Sequence, residues 1–224
     1  MIKNACSQGF CIHIAGLLGL KLMKTKPKTL VLFLPVVIVI LILLWLTGLL
    51  GIWTKGMSYV ADNTKHFNLD KSHSVEGEYT MEIDLSNLKN NVGKDLYNDG
   101  THRIYVSSVK NTGSINSGGY TIYFRSDGRY SLNGATLVSG IQHTRTDENL
   151  FTYDMMAKMS AEYNGKSYNS SVSGTSGLNY KDGDEFGFYI FPTESYETNE
   201  ISLEERGVLV LTVKNLYKNI WSKN

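Results

Sequence analysis

The side chains able to do chemistry in this chain are few and dispersed. Four of its five histidines, His66, His73, His102 and His143, lie beyond residue 54, and no two stand at ligand spacing on one predicted element. A zinc site needs three or four convergent donors, so these histidines read as solvated or hydrogen-bonded surface residues. Cys6 and Cys11 are the only cysteines, a C-x4-C pair with no second pair to complete a quartet. Beyond them the chain has neither a thiol nucleophile nor a possible disulfide, and its stability must come from a core.

Nucleophile and phosphate motifs are fragmentary. Gly165-Lys166-Ser167 ends like a phosphate-binding loop, but Ser160 stands where the first glycine belongs, and the triplet falls on a predicted hairpin turn. Ser86-x-x-Lys89 and Ser107-x-x-Lys110 match the first motif of the penicillin-binding enzymes without its companions. No Gly-x-Ser-x-Gly elbow and no His-Glu-x-x-His helix occurs. Acids gather at Asp182-Gly183-Asp184-Glu185 and along Glu194, Glu197, Glu200, Glu204 and Glu205. Calcium wants six to eight oxygens at set geometry, and no calcium loop is present. Asp-Gly pairs recur at Asp99 and Asp127, where turn chemistry accounts for them. The pattern implies no metal and no cofactor.

Tyrosine is the one unusual abundance, at fourteen. Alternation assigns Tyr79, Tyr120, Tyr130 and Tyr153 to a core, and turns Tyr105, Tyr123 and Tyr189 outward. Outward tyrosines are ordinary in sheets. They also supply contact area at low entropic cost, which makes these three the candidate binding face.

The elements that must position these residues are strands. Tyr79, Met81, Ile83 and Leu85 alternate with polar residues, the mark of a strand with one wet face. Ile104 and Val106; Tyr120, Ile122 and Phe124; Phe186, Phe188 and Ile190; and Leu209, Leu211 and Val213 do the same. Thr136–Ile141 is a weaker candidate. Ser126-Asp127-Gly128-Arg129 predicts a hairpin into Tyr130 and Leu132. Phe151–Tyr163 carries apolar residues at every second position, which favours one strand over a helix. Asn164-Gly165 then turns it into a return strand through Tyr168 and Val172. Ser173–Asp184 reads as a loop, and Ser202-x-x-Glu205 as a capping box for one helical turn. Leu88, Val92 and Leu96 suggest a short helix. The expectation is an all-β domain over residues 74–224, a β-sandwich or open barrel of about eight or nine antiparallel strands.

Ahead of it, Leu30–Ile52 is an uncharged apolar run followed by Trp53. As a helix it would measure roughly 34 Å, enough to cross a hydrocarbon core of about 30 Å. Residues 30–53 therefore predict a transmembrane helix and residues 54–73 a short stalk. Lys21, Lys24, Lys26 and Lys28 crowd the N-terminal flank, which places residues 1–29 in the cytoplasm and the β-rich domain outside. Met23 starts an ordinary signal anchor, and residues 1–22 read as an upstream extension. Cleavage of the anchor is the alternative, but the apolar run exceeds a usual signal peptide and lacks small residues at the cleavage position.

The net charge of +1 conceals an asymmetry: residues 1–53 hold five lysines and no acid, leaving 17 basic against 21 acidic residues in the remainder. A mildly acidic outer domain does not bind nucleic acid, which demands a basic face. The predicted function is a single-pass, membrane-anchored extracytoplasmic domain that binds an envelope protein or glycan without catalysis, its bilayer partner met through Leu30–Ile52. Two alternatives stand beside it: a cell-wall or surface-polymer hydrolase using a carboxylate pair, and an accessory structural subunit of an envelope complex.

Overall fold

A computed structural model describes residues 27–70, 72–147 and 150–224, with side chains from Leu34 onward apart from residues 71 and 146–151. Cys6, Cys11 and Met23 lie outside the described residues. The chain divides into two compact units, Met1–Leu46 and Thr47–Asn224.

The described part of the first unit is helix α1, Pro27–Leu46. Pro27 sits in the first turn, where its missing N–H has no intrahelical acceptor to lose. From Val36 to Ile42 every side chain is 48–54 % exposed, so no face of this apolar helix is covered. Among the described residues no single helix is long and apolar enough to cross a membrane; Leu34–Leu46 and the next helix, α2 (Leu49–Lys55), reach that length only as a pair. The continuous helix expected over Leu30–Ile52 is thus interrupted, and Gly48 is the cause. It adopts the left-handed conformation, φ 78°, which glycine enters without steric cost.

The second unit is β-rich. After α3 (Met57–Asp62) come β1 (Phe67–Leu69), β2 (His73–Asp84), β3 (Asp95–Asn98), β4 (Arg103–Asn111), β5 (Tyr120–Asp127), β6 (Arg129–Ser131), β7 (Gly134–Ser139), β8 (Ile141–Asp147), β9 (Leu150–Met155), β10 (Lys158–Tyr163), β11 (Lys166–Asn169), β12 (Ser171–Gly177), β13 (Glu185–Tyr189), α4 (Thr193–Glu197) and β14 (Val208–Lys223). One antiparallel sheet runs β11-β10-β14-β7-β6 with β1 and β2 also paired to β14; a second runs β12-β13-β5-β4-β3; β8 and β9 pair as a separate ribbon. These fourteen strands exceed the expected eight or nine. The surplus is largely in pieces of three or four residues (β1, β3, β6, β11), too short to show a period.

Inward residues of the two large sheets share one core. Ile83, Leu209, Leu211, Val213 and Ala161 from the first meet Ile104, Val106, Ile122, Phe124, Phe186 and Phe188 from the second, all buried. Each such side chain is worth roughly 1.5–3 kcal/mol on burial. In β14 the inward phase shifts by one at Asn215, a left-handed bulge with φ 61°, so that Leu216 follows Val213 into the core.

Several local expectations change. Residues 57–69, read as stalk, belong to a second core: Met57, Val60, Ala61 and Phe67 are buried with Leu137 and Trp221. Asp127-Gly128 is not a hairpin. There the chain passes from the second sheet to the first, and Gly128 is needed because a Cβ would lie 2.3 Å from the Thr136 carbonyl oxygen. Phe151–Tyr163 is strand, but in two pieces. Its first half belongs to the ribbon and its second to the large sheet, with the Met156 and Ala157 amides both donating to the Gly140 carbonyl at 2.9 Å. Asn164-Gly165 makes the expected turn, with φ 51° and 74°. The return strand divides at Ser170, and β12 occupies much of the supposed loop. Leu88–Asn91 is a single 3-10 turn. Ser202 and Glu205 make capping-box hydrogen bonds, at 2.8 and 3.0 Å, around a turn rather than a helix.

Candidate functional sites

The three outward tyrosines share the outer face of the second sheet. Register pairs Tyr105 with Arg125, sets Tyr123 between Ser108 and Gly187, and pairs Tyr189 with Thr121. All three are half-buried. Tyr123 lies along the sheet rather than standing on it: a Cβ at Gly187, one strand away, would meet its ring at 2.5 Å, and one at Gly174, two strands away, would meet its hydroxyl at 3.9 Å. Tyr189 likewise covers Gly118. The Arg103 guanidinium stacks 4.3 Å from the Tyr105 ring, and that of Arg125 sits 3.8 Å from the ring of Tyr180. Glu185 accepts from the Ser107 hydroxyl at 2.8 Å. Burial, with Asp127 adding to it, pushes the Tyr105 phenol up and keeps it neutral.

Of the tyrosines assigned to the core, Tyr120 is buried, while Tyr79 and Tyr130 are half-buried against the two cores. Tyr153 is a correction: it is 53 % exposed, because β9 has left the sheets for the ribbon and its alternation no longer faces a core.

Two histidines also differ from the surface reading. His102 is 3 % exposed; Nδ1 meets Asp99 at 2.9 Å and Nε2 meets the Thr136 hydroxyl at 2.8 Å. His143 is 11 % exposed, and its Nε2 lies 2.8 Å from Oδ2 of Asp184, a carboxylate with no exposure at all. The Ser139 hydroxyl donates to the other oxygen of Asp184 at 2.8 Å. The Asn219 amide locks the backbone beside it, accepting from His143 N–H and donating to the Ile141 carbonyl at 2.9 and 2.8 Å.

His143 lines a cavity of about 350 Å³. The cavity exists because the β8–β9 ribbon departs at Gly140, leaving a gap closed by Ala61–Leu69, by residues 176–179 and by Trp221. Its apolar lining is Ala61, Phe67, Leu69, Leu178 and Trp221; Asp62 and Arg145 are its charged residues besides His143. Burial raises the Asp62 carboxyl above its ordinary value, with Lys55 opposing.

Serine, histidine and aspartate are thus together, but not as a hydrolase triad. Ser139 bonds the carboxylate instead of the imidazole and is itself fully buried, whereas the triad needs serine on the histidine and open to substrate. A glycosidase needs two carboxyls facing one space, and Asp62 is the only acid lining this cavity. The 182–185 acids diverge: Asp182 accepts from Tyr130, Asp184 points inward and Glu185 outward. Among the described residues no three His, Cys, Asp or Glu side chains converge as a metal site.

The Asp184–His143 couple went unread because its members lie 41 residues apart. One signal was present: Asp184 is in phase with Phe186, Phe188 and Ile190, the inward set. No protein-family model matches the chain, and no curated protein or solved structure compared with it is similar.

Proposed function

We propose that this chain is a membrane-tethered, non-catalytic domain that binds an envelope glycan on the outer face of its second sheet. The observation that carries the reading is the placement of Tyr105, Tyr123 and Tyr189 on one face, with Tyr123 lying flat across Gly187 toward Gly174. A ring held against the sheet offers its face, which suits the C–H faces of a pyranose. Arg103 and Arg125 nearby supply planar donors. Tyrosine and arginine are the residue types that dominate binding surfaces. The tether is the apolar run through α1, whose uncovered side chains need a non-aqueous surrounding. The lysines before it place the β-rich unit, a two-sheet sandwich in this reading, outside the cytoplasm. Hydrolysis is the weaker reading, since the cavity presents a single carboxylate.

Intact cells carrying the full chain should capture a fluorescently labelled soluble fragment of cell-wall glycan. Changing all three tyrosines to serine should abolish capture while surface display persists. Capture that appears only after permeabilisation would reverse the orientation. Undiminished capture by the triple variant would move the binding face elsewhere. Retrieval of a protein in place of the glycan would replace the ligand class. Degradation of the fragment, lost on changing one carboxylate, would make the protein a hydrolase.

A further inference from the structure

The outer-face reading leaves unused the cavity beside His143, whose construction is independent of the tyrosines. Its volume, about 350 Å³, falls at the small end of ligand pockets, roughly 300–1,000 Å³. Much of its lining is apolar, with a few polar groups among it, which is the usual division of labour between affinity and orientation.

The His143 ring is held in one orientation by a fully buried carboxylate. Asp184 is an acceptor on both oxygens, taking the Ser139 hydroxyl on Oδ1 and the imidazole on Oδ2. Nε2 therefore carries a proton, and Nδ1 is the ring nitrogen left without a partner among the described residues. A group buttressed in this way from behind keeps its direction and polarity, as the outer partners of metal-bound histidines do. Arg145 lines the same space. Asp62 is the one acid facing them, and burial favours its neutral form. The cavity is therefore biased toward negative charge at one group and toward hydrocarbon over the rest.

We propose that this cavity binds a small monocarboxylic acid, its carboxylate meeting His143 and its apolar body resting on Phe67, Leu69, Leu178 and Trp221. A carboxylate answers the histidine, and a ring or short branched chain fills the remaining volume. A phosphate ester or polyhydroxylated ligand would leave the apolar lining unmatched.

Benzoate and benzamide are the probes, because they share a shape and differ in charge. Calorimetric titration of the full-length chain in detergent should show benzoate binding at least tenfold tighter than benzamide. His143→Gln, which retains an N–H for Asp184, should weaken benzoate at least tenfold and leave benzamide within about twofold. Leu178→Trp, which fills the space, should eliminate both. Equal affinity for the two probes overturns the proposal, as does indifference to His143→Gln, and so does no binding of benzoate at millimolar concentration. The triple tyrosine variant should bind benzoate like the wild type, so the failure of either proposal is separable from the failure of the other.

Discussion

The molecule contains two histidine–aspartate couples, and they are inside out with respect to each other. In one, His102 is buried and Asp99 is about a third exposed, at 35 %. In the other, Asp184 is buried without exposure and His143 borders a cavity. The first couple is closed: both ring nitrogens of His102 are taken, one by Asp99 and one by Thr136 of β7, so it stitches the lead-in to β4 in the second sheet onto the first sheet. The second is open, with one ring nitrogen committed to Asp184. A buried member must be fully satisfied, because an unpaired polar group in the interior costs 1–3 kcal/mol and a charge costs more. The accessible member is the one left to answer solvent or a ligand. At His102 that member is a carboxylate already held by local hydrogen bonds; at His143 it is an imidazole facing a space of ligand size. The same two residue types thus make a clip in one region and a candidate receptor in the other.

The contrast predicts unequal costs. Asp184→Leu removes a buried acceptor from both Ser139 and His143 and should destabilise the fold by roughly 3–5 kcal/mol, lowering the thermal midpoint of the full chain by about 10 °C or more. Asp99→Leu, at a partly solvated site, should cost no more than about 1–2 kcal/mol. Equal losses would mean that burial does not distinguish the couples. The next effect is the coupling. Replacing both members of a buried pair by apolar residues leaves no orphaned charge. Asp184→Leu combined with His143→Phe should therefore be more stable than Asp184→Leu alone by about 2 kcal/mol, within the usual range for contacting residues. Strict additivity of the two substitutions in thermal unfolding would show that the pair is not energetically joined.

Much of this was legible in the sequence, and the limit was physical. Period-two patterns located the long strands because burial on one face imposes them: Met81 and Ile83, Ile122 and Phe124, Leu209 to Val213 are all inward. The outward placement of Tyr105, Tyr123 and Tyr189 followed from the same rule. Alternation says nothing about which sheet a strand joins. The passage between sheets at Gly128 and the departure of the ribbon at Gly140 depend on close backbone approaches, visible only once the partner strand is in place. His102 lies in phase with Ile104 and Val106, and Asp184 with Phe186, so both were marked as inward. They were passed over because polar residues at strand ends are commonly solvated. The cavity itself depends on four chain segments meeting, and no local pattern encodes that.

The smallest effect is in pH, and its sign should differ between the two regions. At Asp99 burial opposes ionisation, but hydrogen bonds from the His102 side chain and backbone, the Thr101 amide and the Tyr97 hydroxyl outweigh it and hold the carboxyl below its ordinary value. Its stabilising contribution is therefore complete above the unfolded value near pH 4 and is lost as pH falls below it toward the lower folded value. At Asp62 burial, opposed by Lys55, raises the carboxyl. The folded state there is penalised at neutral pH, gains stability as pH falls through the raised value, and has gained all of it below about pH 4. Both groups are solvent-screened, so each effect should be about 1 kcal/mol or less, a shift of roughly 1–4 °C. Thermal midpoints of wild type, Asp99→Asn and Asp62→Asn between pH 7 and pH 2.5 measure them. Asp99→Asn should be the less stable chain at pH 5 and draw level with wild type as acid protonates Asp99. Asp62→Asn should be slightly more stable than wild type at pH 7 and lose that advantage by pH 4. If both variants deviate from wild type in the same direction, the hydrogen-bonded carboxylate of the closed couple and the buried carboxyl lining the cavity are not in opposite electrostatic environments, and the distinction between clip and receptor loses its electrostatic basis.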